Sequence, residues 1–248
     1  MHAAEGDVIV VADGELYFGA SFARLVVTRS GSPFTIPSTA RLLVHGNGTV
    51  AGVATSTALL SMSCDAPKLL CRVGSPAVEY TFGAVHAVVV TRSGVFIGSE
   101  RGAFVVRDGV AMQIAAVDEP VRTLAASSTG GTIAAGTDNR LWLIDAELAR
   151  VRRWEWVTNV TSGSGGVIDD AITALRWDDT DGALLIGTSS CVNRLAADGT
   201  VSRIGANEGL PVSSVTYLAT ARGAPNSGVG SGPERCVFIY RYILNEFC

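Results

Sequence analysis

The chain has 248 residues, of which 48% are hydrophobic and 17% charged, and its formal net charge is −4. This composition excludes an intrinsically disordered chain, because disorder combines low hydrophobicity with high net charge. The nearly balanced charge gives no general attraction to nucleic acid or to anionic lipid, so we expect no nucleic-acid partner.

The first residues predict no secretory signal. They carry an acid at Glu5 and lack a basic stretch followed by an apolar run. The longest uncharged run, residues 42–64, is interrupted by His45, by glycines and by several serines and threonines. A membrane-spanning helix needs about 20 predominantly apolar residues. We therefore expect no membrane span and a cytoplasmic location.

A weak repeat runs through the chain, in which a hairpin-like stretch ends in glycine followed by a small residue. The closing glycines are Gly19, Gly52, Gly98, Gly136 and Gly187. Four intervals span the 168 residues from the first to the last of them, so the mean spacing is 42 residues. This is the length of one four-stranded propeller blade. The repeat predicts an all-β fold, a single-domain β-propeller of about six blades, with approximate bounds 5–38, 39–82, 83–119, 120–165, 166–209 and an incomplete 210–248.

The first two blades have two possible phasings. Val26–Gly31 is identical in sequence to Val89–Gly94, and the offset between the copies is 63 residues. Because 63 is not a multiple of the 42-residue period, the two copies occupy different positions in their blades. We expect the first copy in a third strand and the second in a first strand. The alternative shifts the blade boundaries before residue 83.

In the predicted third and fourth blades, the sequence predicts three strands joined by turns, followed by an outer strand. The first two strands are apolar and nearly continuous, which is typical of strands buried on both faces. An Asp-Gly pair at Asp108-Gly109 predicts a hairpin, because it supplies the positive φ angles of a two-residue turn. The predicted strands are Val85–Thr91, Val95–Ile97 and Ala103–Val106, then Val121–Ala125, Ile133–Ala135 and Arg140–Ile144.

The fifth blade is the most complete, and the sixth is not. The predicted strands of the fifth are Ile172–Trp177, Ala183–Ile186, Cys191–Leu195 and Val201–Ile204. The sixth shows only two, Val212–Thr220 and Cys236–Leu244. Closing a propeller removes its sheet edges. Either an N-terminal strand at Asp7–Val11 completes this blade, or the chain is part of a longer propeller.

Residues 172–195 carry the clearest copy of the repeat. Its segments are Ile172–Trp177, Asp179–Gly182, Leu185–Thr188 and Val192–Arg194, and Gly209–Pro211 opens the next copy. This order resembles the two-component regulator propeller repeat, a WD40/YVTN-like β-propeller family, mainly over residues 121–215. Leu184 and Ala134 replace the usual tryptophan of that repeat. The resemblance implies the fold; the family's sensor role, in front of a membrane span and a kinase, is not carried over.

The segment Arg150–Trp156 is the most unusual candidate for binding. Alternation along an outer strand places four of its residues on one face: Arg150, Arg152, Trp154 and Trp156. Tryptophan and arginine are enriched at the energetic centres of protein interfaces, and arginine stacks on indole. The alternative is that the tryptophans pack against the next blade with the arginine stems over them. We predict that these four residues bind a protein partner.

Other reactive residues are too scattered to predict catalysis. The three histidines, His2, His45 and His86, are far apart in the sequence. Three aspartates precede Gly182: Asp178, Asp179 and Asp181. Their spacing only partly matches a calcium loop and lacks the distal glutamate, so a hairpin turn explains them better. We expect no catalytic residue, no metal site and no cofactor.

Five cysteines form an odd set without Cys-x-x-Cys spacing: Cys64, Cys71, Cys191, Cys236 and Cys248. A bridge between Cys64 and Cys71 across a hairpin is one interpretation in an oxidising compartment. Buried or incidental thiols are the simpler interpretation for a cytoplasmic chain. Metal binding is not expected, because no histidine lies near any of them in sequence.

These observations favour a non-enzymatic propeller module that binds a protein partner. A ligand-sensing or carbohydrate-binding propeller, with a small-molecule or sugar ligand, is the first alternative. A hydrolase or lyase with its site in the central channel is the second, and it needs acidic residues and histidines to converge there. Propellers carry all three kinds of function on one frame, so the function must be argued from a site.

Overall fold

A computed structural model describes the protein over the following residues: 9–12, 15–18, 23–37, 40–44, 50–65, 70–138, 140–147, 151–154, 171–178, 181–188, 191–204, 215, 218–220 and 237–239. Within these ranges every regular element is a β-strand. The predicted all-β class is confirmed for this part of the chain. No helix with the length and apolar character needed to cross a membrane occurs in it.

Twenty-two strands are present in the described residues. Their bounds are β1 Ile9–Ala12, β2 Glu15–Phe18, β3 Ala23–Arg29, β4 Ser32–Pro33, β5 Arg41–Val44, β6 Val50–Ala54, β7 Ala58–Asp65, β8 Leu70–Glu79, β9 Val85–Thr91, β10 Gly94–Ser99, β11 Gly102–Arg107, β12 Val110–Gln113, β13 Thr123–Ala126, β14 Thr132–Gly136, β15 Leu141–Asp145, β16 Val151–Trp154, β17 Ile172–Trp177, β18 Leu184–Thr188, β19 Val192–Leu195, β20 Val201–Ile204, β21 Leu218–Thr220 and β22 Val237–Ile239.

The chain divides into two compact units, Met1–Val121 and Arg122–Cys248. The first unit contains an eight-stranded sheet, in which seven strands follow the order β1-β2-β3-β8-β7-β6-β5 and β4 pairs with β3. It also contains the four-stranded sheet β12-β11-β10-β9. The second unit contains the sheets β13-β14-β15-β16 and β17-β18-β19-β20 and the pair β21-β22.

Three four-stranded sheets lie within the ranges predicted for the third, fourth and fifth blades. Each consists of four consecutive antiparallel strands, and strands β9 and β20 have the bounds that the sequence predicts. The turn at Asp108-Gly109 has the two positive φ angles, 49° and 75°, that its Asp-Gly pair predicts. Two strands, β21 and β22, follow in the region of the incomplete sixth blade. The blade count and ring closure stay predictions.

The period predicts a separate sheet for each of the first two blades, but strands β1 to β8 belong to one sheet. Strands β5 to β8 form an antiparallel meander, and its outer strand β8 pairs in parallel with β3, with Val26 opposite Leu70 and Arg29 opposite Val73. An edge strand offers unpaired backbone groups, and pairing with a second strand satisfies them. Strand β1 pairs with β2 through its whole length. Its residues 9–12 thus form part of the first sheet, whereas the sequence offered Asp7–Val11 to the sixth blade.

The first unit has an aromatic core between the β5–β8 meander and the β9–β12 sheet. Phe82 and Phe104 are fully buried, and their ring centroids are 5.3 Å apart with an edge-to-face angle of 82°. Tyr80 lies 5.3 Å from each of these rings. Such tilted and edge-to-face pairs stabilise a core beyond the area that they bury. This packing joins the segment after β8 to β11.

The second unit buries small and branched residues between its two four-stranded sheets. Ala134 and Leu141 of one sheet contact a cluster that includes Leu184 and Ile186 of the other, and all four side chains are fully buried. The indole Nε1 of Trp177 donates a hydrogen bond of 3.2 Å to a backbone carbonyl of the facing sheet. Small residues such as alanine let two sheets approach closely.

The repeated glycine also has a packing reason. A Cβ atom at Gly136 would lie 2.5 Å from Ile172 Cγ2, and one at Gly187 would lie 2.5 Å from Val215 Cγ1. Real Cβ contacts are essentially never this short. Each glycine therefore lets the next sheet or segment of the chain lie directly against the second strand of its own sheet.

The threonines that follow Gly136 and Gly187 close the next turn with their hydroxyl groups. Thr137 Oγ1 donates to the carbonyl of Arg140 over 3.3 Å and accepts from its N–H over 3.0 Å. Thr188 forms the same two bonds with Cys191. The carbonyls of these threonines also accept hydrogen bonds from the N–H groups of Ile172 and Val215. Each Gly-Thr pair thus ties its own sheet to the next segment of the chain, at Ile172 of β17 and at Val215.

Candidate functional site

The predicted binding segment includes the outer strand of the β13–β16 sheet. Strand β16 pairs with β15, with Arg152 opposite Leu143 and Trp154 opposite Leu141. It ends the sheet order, so its other edge pairs with no strand in the described part of the chain. Arg150 and Trp156 lie outside the described residues. The structure therefore gives Arg152 and Trp154 a register position at a sheet edge.

The register also relates this strand to the core of the second unit. Residues directly opposite each other in an antiparallel pair lie on the same face of the sheet. Leu141 is fully buried in the cluster between the two sheets, and Leu143 packs against that cluster. Positions 152 and 154 thus lie opposite these two leucines, on the neighbouring strand of the sheet. Both predicted interpretations, binding and packing, start from this placement.

The aspartates before Gly182 take part in their own hairpin. Asp181 Oδ1 accepts the N–H of Ala183 over 3.1 Å, and its other carboxylate oxygen pairs with the guanidinium group of Arg194. Asp178 is buried, and Asp179 lies outside the described residues. The carboxylate of Asp181 is thus engaged by a backbone N–H and a cation. Over the described residues, no three His, Cys, Asp or Glu side chains are grouped closely enough to hold a metal ion.

The turn after β19 carries the clearest electrostatic signal. Asp198 Oδ1 accepts the backbone N–H of Thr200 over 2.8 Å. This backbone hydrogen bond, followed by one from the Thr200 side chain, holds the pKa of the Asp198 carboxyl below its usual value. The carboxylate is fully exposed. It stabilises a turn and does not resemble a tuned acid or base.

The histidines do not converge with these acids in the described structure. His86 lies within β9 and is half-buried, and its backbone carbonyl accepts a hydrogen bond of 3.0 Å from Arg41 Nε. His2 and His45 lie outside the described residues. The predicted absence of catalytic residues stays a prediction.

Two features of the structure go beyond what the sequence predicts. Strand β12 is an edge strand, and it exposes Val110 and Met112, at 56% and 46%. Their spacing of two residues after the Asp108-Gly109 turn was the available signal. Asn193 is fully buried; its Nδ2 donates to Cys191 Sγ over 3.4 Å, and its Oδ1 has no hydrogen-bond partner among the described residues. No pattern in the sequence marks this asparagine.

No protein-family model and no curated protein sequence matches the chain. Solved structures do. The extracellular domain of BT4673 from B. thetaiotaomicron, described there as a one-component system, aligns with a TM-score of 0.56 and 15% identity over 96% of this chain and 33% of that chain. Sqt1 from Saccharomyces cerevisiae aligns with a TM-score of 0.59 and 14% identity over 94% of this chain and 64% of that chain.

A third similar structure, the WD40 repeats of RRP9, aligns with a TM-score of 0.42 and 15% identity over 54% of this chain and 41% of that chain. The chain thus spans about a third of the BT4673 domain and less than two thirds of Sqt1. At these identities the comparisons establish the fold alone. The two structures with TM-scores above 0.5 confirm the predicted resemblance at the level of the fold: the described part of the chain is all-β and propeller-like.

Proposed function

We propose that this protein is a non-enzymatic propeller module that binds a protein partner along the free edge of β16. The four residues assigned to the contact are Arg150, Arg152, Trp154 and Trp156. The observation that carries the proposal is that Arg152 and Trp154 stand on the outer strand of a sheet in which β14 is buried at four of its five residues.

The free edge supplies the first contribution to binding. A strand that ends its sheet offers backbone N–H and C=O groups, and an extended partner segment can add to it as a further strand. Main-chain hydrogen bonds then provide affinity, and alternate side chains provide specificity. Because β16 pairs with β15 over four residues, it is positioned by a regular ladder.

The residue types supply the second contribution. Alanine scanning of protein interfaces finds that a few residues carry most of the binding energy, and Trp and Arg are prominent among them. Arg152 and Trp154 are two residues apart, so they face the same side of the strand. An acidic or aromatic segment of the partner would complement them.

The experiment is an affinity capture from the native source with three forms of the protein. The test variant is Arg152→Ala/Trp154→Ala. The matched control is Val110→Ser/Met112→Ser, which removes exposed apolar groups from another edge strand. Circular dichroism establishes that all three forms are folded. Each captured protein is identified by mass spectrometry and then purified for titration.

We expect one stoichiometric partner that binds the wild type and the control variant with equal affinity. Truncation of two such residues is expected to weaken binding by about 2 kcal/mol or more, roughly thirtyfold. A partner that binds all three forms equally refutes the assignment to β16. A partner lost only in the control variant moves the interface to β12.

A second candidate function is ligand sensing. The segment Ile172–Leu195 resembles the regulator propeller repeat, and the chain aligns over 96% of its length with an extracellular domain of a one-component system. The cytoplasmic location therefore stays a prediction. Thermal-shift screening with sugars and small metabolites tests this candidate. A saturable increase in Tm with one ligand class, together with no protein partner, would favour it over the interaction module.

A further inference from the structure

Two cysteines lie opposite each other in the β7–β8 hairpin. The register pairs the backbone of Cys64 with that of Cys71, between the pairs Ser63–Arg72 and Asp65–Leu70. The sequence alone left a bridge and incidental thiols as alternatives for these two residues. The pairing of the strands now places them at the same level of one antiparallel ladder.

The backbone spacing at such a position suits a disulfide. Directly opposite residues of antiparallel strands have Cα atoms about 4.5 to 5.5 Å apart. A disulfide requires Cα atoms about 4.4 to 6.8 Å apart. Directly opposite positions also lie on one face of the sheet. Both geometric conditions for a bridge follow from the register of Cys64 and Cys71.

This register is determined by burial elsewhere in the hairpin. In the regular stretch of ladder beside the cysteines, Met62 of β7 and the opposite Val73 of β8 are buried, at 6% and 4%, whereas the next pair, Ser63 and Arg72, is exposed. A slip of one residue between the strands would move the buried set of one strand to the opposite face of the sheet. The core of the first unit therefore opposes a change in the pairing of the two cysteines.

We propose that Cys64 and Cys71 form a disulfide across the β7–β8 hairpin, with a low-molecular-weight disulfide such as oxidised glutathione as the oxidant. One cysteine thiolate attacks the glutathione disulfide, which breaks its S–S bond and releases one glutathione thiolate. The second cysteine thiolate then attacks the protein sulfur of this mixed disulfide and releases the second glutathione thiolate. Two protein thiols are oxidised, one glutathione disulfide is reduced, and two protons pass to the released thiolates.

The chain contains an internal control for this reaction. Cys191 is buried, at 3% exposure, and its Sγ accepts a hydrogen bond from Asn193 Nδ2. Its position precedes β19, and it has no cysteine opposite it in the described ladders. We expect Cys191 to stay a free thiol under conditions that oxidise Cys64 and Cys71.

The sequence makes the bridge directly readable by peptide mapping. Trypsin cleaves after Arg41, Lys68 and Arg72, so Cys64 falls in peptide 42–68 and Cys71 in peptide 69–72. The full chain is equilibrated with reduced and oxidised glutathione, quenched with acid and alkylated before digestion. The same reaction is repeated in urea. Cys64→Ser and Cys71→Ser serve as variants without the bridge.

We expect peptides 42–68 and 69–72 to be linked in most of the native protein and to separate on reduction. In urea, where the register is lost, the linked fraction is expected to fall several-fold. Either serine variant should lose the linked pair and leave its remaining cysteine alkylated or glutathionylated. Two separately modified cysteines in the native wild type would overturn the proposal, and so would a link from Cys71 to Cys236 or Cys248.

Discussion

Replacing Gly136 by alanine tests the close approach of the two sheets in the second unit. The added Cβ would lie 2.5 Å from Ile172 Cγ2 and 2.9 Å from Thr123 Cγ2. Ile172 is fully buried and β-branched, so its side chain has one strongly restricted torsion and little room to move. The sheets must separate by several tenths of an ångström to admit the methyl group.

The effect of Gly136→Ala on the free energy of unfolding is the difference between two opposing effects. Overpacking a well-packed core costs about 1–3 kcal/mol. Gly136 does not have a positive φ, so alanine is compatible with the backbone and gains about 0.4–1 kcal/mol by restricting the unfolded chain. We expect Gly136→Ala to lower the free energy of unfolding by about 1–2 kcal/mol.

Urea unfolding followed by tryptophan fluorescence is the suitable assay. All four tryptophans, Trp142, Trp154, Trp156 and Trp177, belong to the second unit, so the signal reports that unit alone. A lower midpoint with an unchanged m-value indicates a change in stability. Gly131→Ala, in the turn that leads into β14, is the matched control, because its Cβ would lie no closer than 3.4 Å to another residue, at Thr129 Oγ1.

Two results would refute this reasoning. For the control Gly131→Ala we expect the free energy of unfolding to change by no more than about 0.5 kcal/mol. The first refuting result is that Gly136→Ala and Gly131→Ala change it equally. The second comes from a double-mutant cycle with Ile172→Ala, which removes the clashing methyl group. The double variant should be more stable than the sum of the single losses by about 1 kcal/mol. Strict additivity would exclude the proposed contact.

Three further outcomes follow from individual hydrogen bonds. Thr137→Val should cost about 1–2 kcal/mol in the same urea assay, because the hydroxyl is buried and its two turn bonds are lost. Trp177→Phe should cost about 1 kcal/mol by removing the bond to the Ala125 carbonyl, measured by circular dichroism. The bonds with Thr200 lower the pKa of the Asp198 carboxyl in the folded protein. The carboxylate therefore stabilises the fold above its unfolded pKa, and this stabilisation is lost as the pH falls through its folded pKa. Asp198→Asn should remove this contribution to the pH dependence of the free energy of unfolding.

Local structure was largely predictable because it depends on neighbouring residues. Alternation, β-branched composition and Asp-Gly turns are local signals, and they predict the bounds of β9 and β20 as the structure has them. The closing glycines were visible as a period. Their physical reason was not, because the atom that excludes a side chain at Gly136 belongs to Ile172, 36 residues later.

The candidate binding segment shows where prediction from sequence stops. The sequence indicates an outer strand with arginine and tryptophan in alternation. Only the ladder between β15 and β16 sets Arg152 opposite Leu143 and Trp154 opposite Leu141. That register depends on the geometry of the β15–β16 hairpin and on the core against which β15 packs. Neither is a property of the segment Arg150–Trp156 itself.

The repeated hexapeptide separates the two levels most clearly. Val26–Gly31 and Val89–Gly94 have one sequence, and in both places it forms the end of a strand and a turn. The first copy lies in β3, which pairs in parallel with β8, and the second in β9, the first strand of its own sheet. Sequence by itself determined strands, turns and the blade period, because these depend on torsional preference and burial pattern. Tertiary structure alone decided which distant strands share hydrogen bonds, because backbone donors and acceptors are the same at every residue and only packing selects their partners.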